Sequence, residues 1–122
     1  MIHRARSILT VLAVTAVTVV GGVSVAAAAT AHASSATITV TAVEFKFTLS
    51  KSSAAPGLVT FKVVNKGKIM HDFKIDGKKT ALIAPGKSAT LAVTFTKAGA
   101  YPYVCTVPGH SALGMKGTFK IT

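Results

Sequence analysis

A chain of 122 residues, half of them hydrophobic, carries 14 Lys and Arg against three acids, a formal net charge of +11, with one Cys and no Trp. That length admits a single domain, and one Cys excludes an intrachain disulfide. Both arginines, Arg4 and Arg6, fall within the first six residues, so the basic remainder is a poor match to a nucleic-acid binder.

The chain opens with His3, Arg4 and Arg6, runs uncharged over residues 8–29, and reaches Ala31-His32-Ala33. A charged start, an apolar stretch and a small-x-small exit are the three parts of a secretory signal peptide. Residues 1–33 are therefore read as a leader, or as a membrane anchor where it is left uncleaved. Either way residues 34–122 are exported, to the periplasm, the cell surface or the medium. They contain 12 lysines against Glu44, Asp72 and Asp76, a balance of +9, with no cluster of lysines along the chain. The sign steers the protein toward acidic partners. A lone Cys in an oxidising compartment needs a reason to persist, and a metal supplies one.

Beyond residue 33 the apolar residues alternate with period two, the strand period. Ile38, Val40 and Ala42 alternate with threonines; Phe45, Phe47 and Leu49 share a face of a second strand. Residues 58–64 form a third strand, stopped at Asn65-Lys66-Gly67, and residues 71–75 a fourth, turned by Asp76-Gly77. Residues 80–83 read as a short strand before Ala84-Pro85-Gly86. Leu91, Val93 and Phe95 alternate up to Lys97-Ala98-Gly99; Tyr101, Tyr103 and Cys105 then share one face, and residues 115–121 close the chain. Seven to eight such strands predict an all-β sandwich or small barrel.

Residues 34–122 keep two histidines, His71 and His110, beside the one Cys and two methionines, Met70 and Met115. Three of these five lie in Cys105-Thr-Val-Pro-Gly-His110-Ser-Ala-Leu-Gly-Met115. Fully extended, the steps from Cys105 to His110 would span about 17 Å, so the segment must curl for both to hold one ion, with Pro108-Gly109 and Gly114 as turn residues. Two imidazoles and a thiolate with a weak axial thioether is the donor set of a type 1 (blue) copper; a closed structural zinc site would not use Met. Met115 is the axial candidate, with a backbone carbonyl or water as the alternatives. Met70, on the opposite face from His71, is expected to pack.

The stretch AYPYVCTVPGHSALGMKGTFKIT resembles the C-terminal ligand loop of cupredoxins, and VVNKGKIMHDFKI resembles their upstream His segment. APGKSATLAVTFTKAGAYPYVC is similar to the turn–strand–turn–strand run between them. The Cys-x4-His-x4-Met spacing is similar to that of phytocyanins. The resemblance implies a Greek-key sandwich in which His71, Cys105 and His110 are equatorial copper ligands and Met115 the axial one. It also implies electron passage through an exposed edge of His110. The loop around His110 itself offers Val107, Pro108, Ala112 and Leu113 as an apolar docking rim. Where many cupredoxins have Asn after the upstream His, this chain has Asp72, a carboxylate able to hold the ligand loop by hydrogen bonds.

The expected function is one-electron transport by a monomeric carrier, cycling Cu(II)/Cu(I) with redox partner proteins that carry acidic docking surfaces. Copper binding or delivery in the same site without electron transfer is the alternative, and an adhesion module indifferent to Cys105 and His110 a third. An enzyme is not expected. Multicopper oxidases and copper nitrite reductases need further histidines for a second centre, and a dinuclear copper-A site needs two cysteines.

Overall fold

Nine β-strands account for the regular structure of the described residues: β1 (Ser34–Val43), β2 (Lys46–Leu49), β3 (Ser53–Ala54), β4 (Gly57–Asn65), β5 (Lys74–Ile75), β6 (Lys78–Lys79), β7 (Ser88–Phe95), β8 (Gly99–Val104) and β9 (Lys116–Ile121). The structure, a computed structural model, describes residues 16, 21–24 and 34–122; apart from five positions, the leader read over residues 1–33 lies outside them.

One sheet has the order β2-β1-β4-β7 and the other β3-β9-β8-β5-β6. The pairing of β1 with β4 is parallel, from Ser34↔Gly57 to Ala42↔Asn65, as is that of β3 with β9. A parallel pair cannot be closed by a hairpin; here the chain leaves the first sheet after β2, adds β3 to the second, and returns as β4. The alternation read from sequence sorts the faces. Ile38, Val40 and Ala42 of β1, Val59, Phe61 and Val63 of β4, and Val93 and Phe95 of β7 are buried, and meet Phe119 and Ile121 of β9. Phe61 spans the sandwich, its ring 5.3 Å from that of Phe119 and 5.2 Å from that of Phe73, within the range of favourable aromatic pairs.

Three local expectations change. The second strand begins at Lys46, because Glu44-Phe45 form the turn after β1. Residues 71–73 are not a continuous strand: the Asp72 amide donates to Cys105 Sγ and the Phe73 amide to Thr80 Oγ1. With those donors taken by side chains, His71 keeps only an isolated bridge to Ile83, and residues 80–83 form no strand of their own. The strand total becomes nine through the two-residue ladders β3 and β6, while β5 is what remains of the strand read over residues 71–75.

Candidate metal centre

The centre lies at one end of the sandwich, where β8 runs out into Cys105 and the chain returns through Met115 into β9. The intervening segment curls as its spacing requires. The His110 amide donates to the Val107 carbonyl at 3.1 Å, and the Leu113 amide to that of His110 at 3.1 Å. Gly109 and Gly114 sit at φ 83° and 108°, a region that residues with a Cβ enter at a cost. Met115 closes the loop on both sides: its N–H donates to His110 O at 3.1 Å, and its carbonyl accepts from the Cys105 amide at 3.0 Å.

His71 arrives from the other side of the same sheet end. One donor atom each from His71, Cys105 and His110 lie within 4.8 Å of one another. The two Nδ1 atoms are 3.2 Å apart, and Cys105 Sγ is 3.5 Å from His110 Nδ1. Three donors arranged trigonally at ordinary metal–ligand lengths of about 2.0–2.3 Å lie roughly 3.5 Å from one another, so these separations suit one shared ion. His71 is wholly buried, Cys105 1% exposed, His110 7% exposed and Met115 wholly buried. A soft thiolate with two imidazoles and a neighbouring thioether suits copper.

The surrounding bonds fix the two ligand segments to each other. The Asp72 carboxylate accepts the Thr106 amide at 2.6 Å and also the Thr106 hydroxyl, which joins the residue after His71 to the residue after Cys105. Burial pushes the Cys105 thiol up, against the opposing pull of the Asp72 amide, so metal entry must displace a proton there. Asn65, wholly buried, donates from Nδ2 to the carbonyls of Ile69 and Ile83, both at 2.8 Å, and accepts the Gly67 amide at 2.8 Å. It thereby ties the loop before His71 to the Ile83 segment that bridges it.

Sequence reasoning missed two neighbours of the centre. Glu44 Oε1 lies 3.2 Å from His71 Nε2, and the Phe45 ring stands edge-on to the His110 ring at 5.0 Å. The available signal was Glu44 itself, an acid amid apolar residues in a chain with three acids. Met70 does not pack as expected: it is 40% exposed, beside Ile69 at 41%, because the loop hangs from Asn65 by its backbone. Of the expected apolar rim, Pro108, Ala112 and Leu113 are exposed, whereas Val107 packs against the core. Tyr103 packs on Phe47 and Phe73.

Fold and donor cluster together define a copper-binding β-sandwich protein of the cupredoxin type. A model of the copper binding proteins, plastocyanin/azurin family, matches residues 23–122, and the chain belongs to that family. It is similar to the copper-resistant cuproprotein CopI of Pseudomonas aeruginosa, 44% identical over 48 residues, 39% of this chain and 26% of that protein. Auracyanin-B of Chloroflexus aurantiacus is 42% identical over 43 residues, 35% of this chain and 18% of that one. The matched stretches thus span about a quarter or less of those relatives. Among solved structures, auracyanin B superposes with a TM-score of 0.61 at 23% identity, covering 71% of this chain and 88% of that one. Reduced auracyanin of Roseiflexus castenholzii gives 0.61 at 20% identity, covering 75% and 99%. At those identities the likeness is one of fold.

Proposed function

We propose that this protein is an extracytoplasmic one-electron carrier in which His71, Cys105 and His110 are the equatorial ligands of one type 1 copper and Met115 the axial one. The observation that carries the reading is the buried, cross-tied donor cluster. Bound there, copper supplies a one-electron Cu(II)/Cu(I) couple. The protein's part is to keep the donors still: Asp72 binds Thr106 across the two ligand segments, and the backbone of Met115 bonds to both Cys105 and His110. A cage that moves little on oxidation suits electron transfer, whereas catalysis on a substrate needs an open coordination position. His110 is the more exposed imidazole, and exposed Leu113 and Pro108 beside it suit close approach of a partner.

The leader read over residues 1–33 supports export, with residues 34–122 as the working domain. The partner's chemistry follows from charge that folding gathers. Lys116, Val104, Lys74 and Lys79 are successive cross-strand neighbours on β9, β8, β5 and β6, and neighbours in such a row share a face. The three lysines are exposed and form a basic edge beside a hollow of about 410 Å³ lined in part by Ser111, Lys116 and Thr118. Lys74 directly opposite Lys79 is unfavourable in the free protein and favours an acidic redox partner.

The test is the visible spectrum of the protein, expressed from the full chain and loaded with Cu(II), before and after a mild reductant. An intense blue band that bleaches and returns on reoxidation is expected; a colourless protein that takes up no copper overturns the reading. Copper storage or delivery has its own support in the similarity to a copper-resistant cuproprotein and in the exposed thioether of Met70 next to His71. Repeated redox cycling in the presence of a Cu(I) chelator separates the two: a carrier retains its ion, a delivery protein gives it up.

A further inference from the structure

Glu44 is one of three acids in the chain, and folding brings it against the metal centre. It sits in the turn between β1 and β2. Its Oε1 accepts the Lys68 amide at 2.7 Å and the Ile69 amide at 3.1 Å, and lies 3.2 Å from His71 Nε2. The loop makes room for it: a Cβ at Gly67 would collide with the Glu44 carboxylate. The Lys68 and Ile69 amides both donate to this oxygen, so it meets the His71 ring as an acceptor. An incidental surface ion pair would be a long, mobile contact. This side chain is 30% exposed, and its oxygen meets three donors at once.

We propose that Glu44 is a positioning residue for the copper site: its carboxylate accepts the Nε2–H of His71, holding the imidazole in the tautomer whose Nδ1 lone pair faces Cys105 and His110. The observed contacts fit that assignment. Nε2 faces a carboxylate that only accepts, so the ring proton belongs there, and Nδ1 is left to point into the donor cluster 3.2 Å from His110 Nδ1. A carboxylate on the far nitrogen also makes the ligand more basic, and its negative charge favours the more positive, oxidised ion. The same carboxylate clips Lys68 and Ile69, the entry to His71. The role toward copper rests on the reading of His71 as a ligand; the tautomer is a property of the metal-free protein and can be examined alone.

Two variants and two measurements test this on the protein made from the full chain. Ring-nitrogen NMR of the metal-free protein is expected to find His71 as the Nε2–H tautomer in wild type and in Glu44→Gln, whose amide oxygen still accepts, and as a tautomer mixture in Glu44→Ala. In the copper-loaded protein, Glu44→Gln is expected to lower the preference for Cu(II) over Cu(I) about tenfold, a rise in potential of about 59 mV for one electron. Circular dichroism checks that each variant folds, and Glu44→Gln serves if Glu44→Ala does not. A His71 ring in the same tautomer in all three proteins overturns the proposal, as does an unchanged potential in Glu44→Gln. If no copper binds, the assignment of His71 as a ligand fails, while the NMR result still decides the contact.

Discussion

The carboxylate of Asp72 accepts both the amide and the hydroxyl of Thr106, so the residue after one histidine of the centre is bonded to the residue after its cysteine. The segments are 34 positions apart in sequence, and this contact extends their joining from the β5–β8 pair at Lys74 and Val104 and the long Asp72 N–H to Cys105 Sγ bond at 3.5 Å to the residue beyond the cysteine.

Asp72 is 2% exposed, and its truncation takes a charged acceptor from the Thr106 amide and hydroxyl. Asp72→Ala is expected to cost about 1.5–3 kcal/mol, the range for hydrogen bonds to charged groups. Asp72→Asn, which keeps an acceptor for the Thr106 amide, is expected to cost less than half of that. Urea unfolding of the metal-free variants measures both, and an Asp72→Ala protein as stable as wild type removes the link from the account of the site.

Copper removal is expected to lower stability, since a ligand that binds only the folded state stabilises it by mass action. At free metal 100-fold above Kd the effect is about 2.7 kcal/mol, on the order of 10–20 °C in Tm for a domain this small. Cys105→Ala is expected to abolish the visible band and to erase that metal-dependent gain. A scan with and without Cu(II) reads both; an equal gain in wild type and Cys105→Ala means that the metal binds elsewhere.

The acid limb of stability carries the mark of Glu44. Its folded carboxyl titrates at about 2, against an ordinary 4.5. Because the folded value is the lower, the contribution is complete above pH 4.5 and is lost as pH falls toward 2. The stability difference between wild type and Glu44→Gln, both metal-free, is expected to be flat from pH 7 to 5 and to shrink below that. A difference that stays constant down to pH 2.5 contradicts it.

Charge reversal on the lysine row is expected to alter electron-transfer rates without altering the site. Lys74→Glu with Lys79→Glu slows reduction or oxidation by a small anionic redox reagent and speeds that by a cationic one, and the dependence on ionic strength weakens in the first case. Stopped-flow rates with the two reagents measure this. Equal rates for wild type and the double variant place the docking edge elsewhere.

Much of the sandwich was legible because one face of each long strand must be buried, and a period-two pattern records that face residue by residue: Ile38, Val40 and Ala42, or Val93 and Phe95. The short ladders β3 and β6 were not legible, nor was the shortening of the strand read over residues 71–75 to β5. Two residues carry no period, and whether the His71 segment pairs as a strand depended on Thr80 and Cys105 taking its amides. Met70 was misjudged for the same reason, as a strand's alternation does not apply to a loop hung from the Asn65 side chain.

Composition and spacing by themselves determined that residues 34–122 hold one thiol and two imidazoles, that Cys105, His110 and Met115 share one tight loop, and that the alternating segments close on an apolar core. These are local facts of donor chemistry and of period, which any fold of this chain must respect. Only the tertiary structure decided what surrounds the centre. It turned Glu44 onto His71 and Phe45 onto His110, bonded Asp72 to Thr106, and aligned Lys116, Lys74 and Lys79 along one edge. Those pairings cross from strand to strand at large sequence separation, where the register of the sheets and the path of the connections, rather than any local preference, determine which side chains meet.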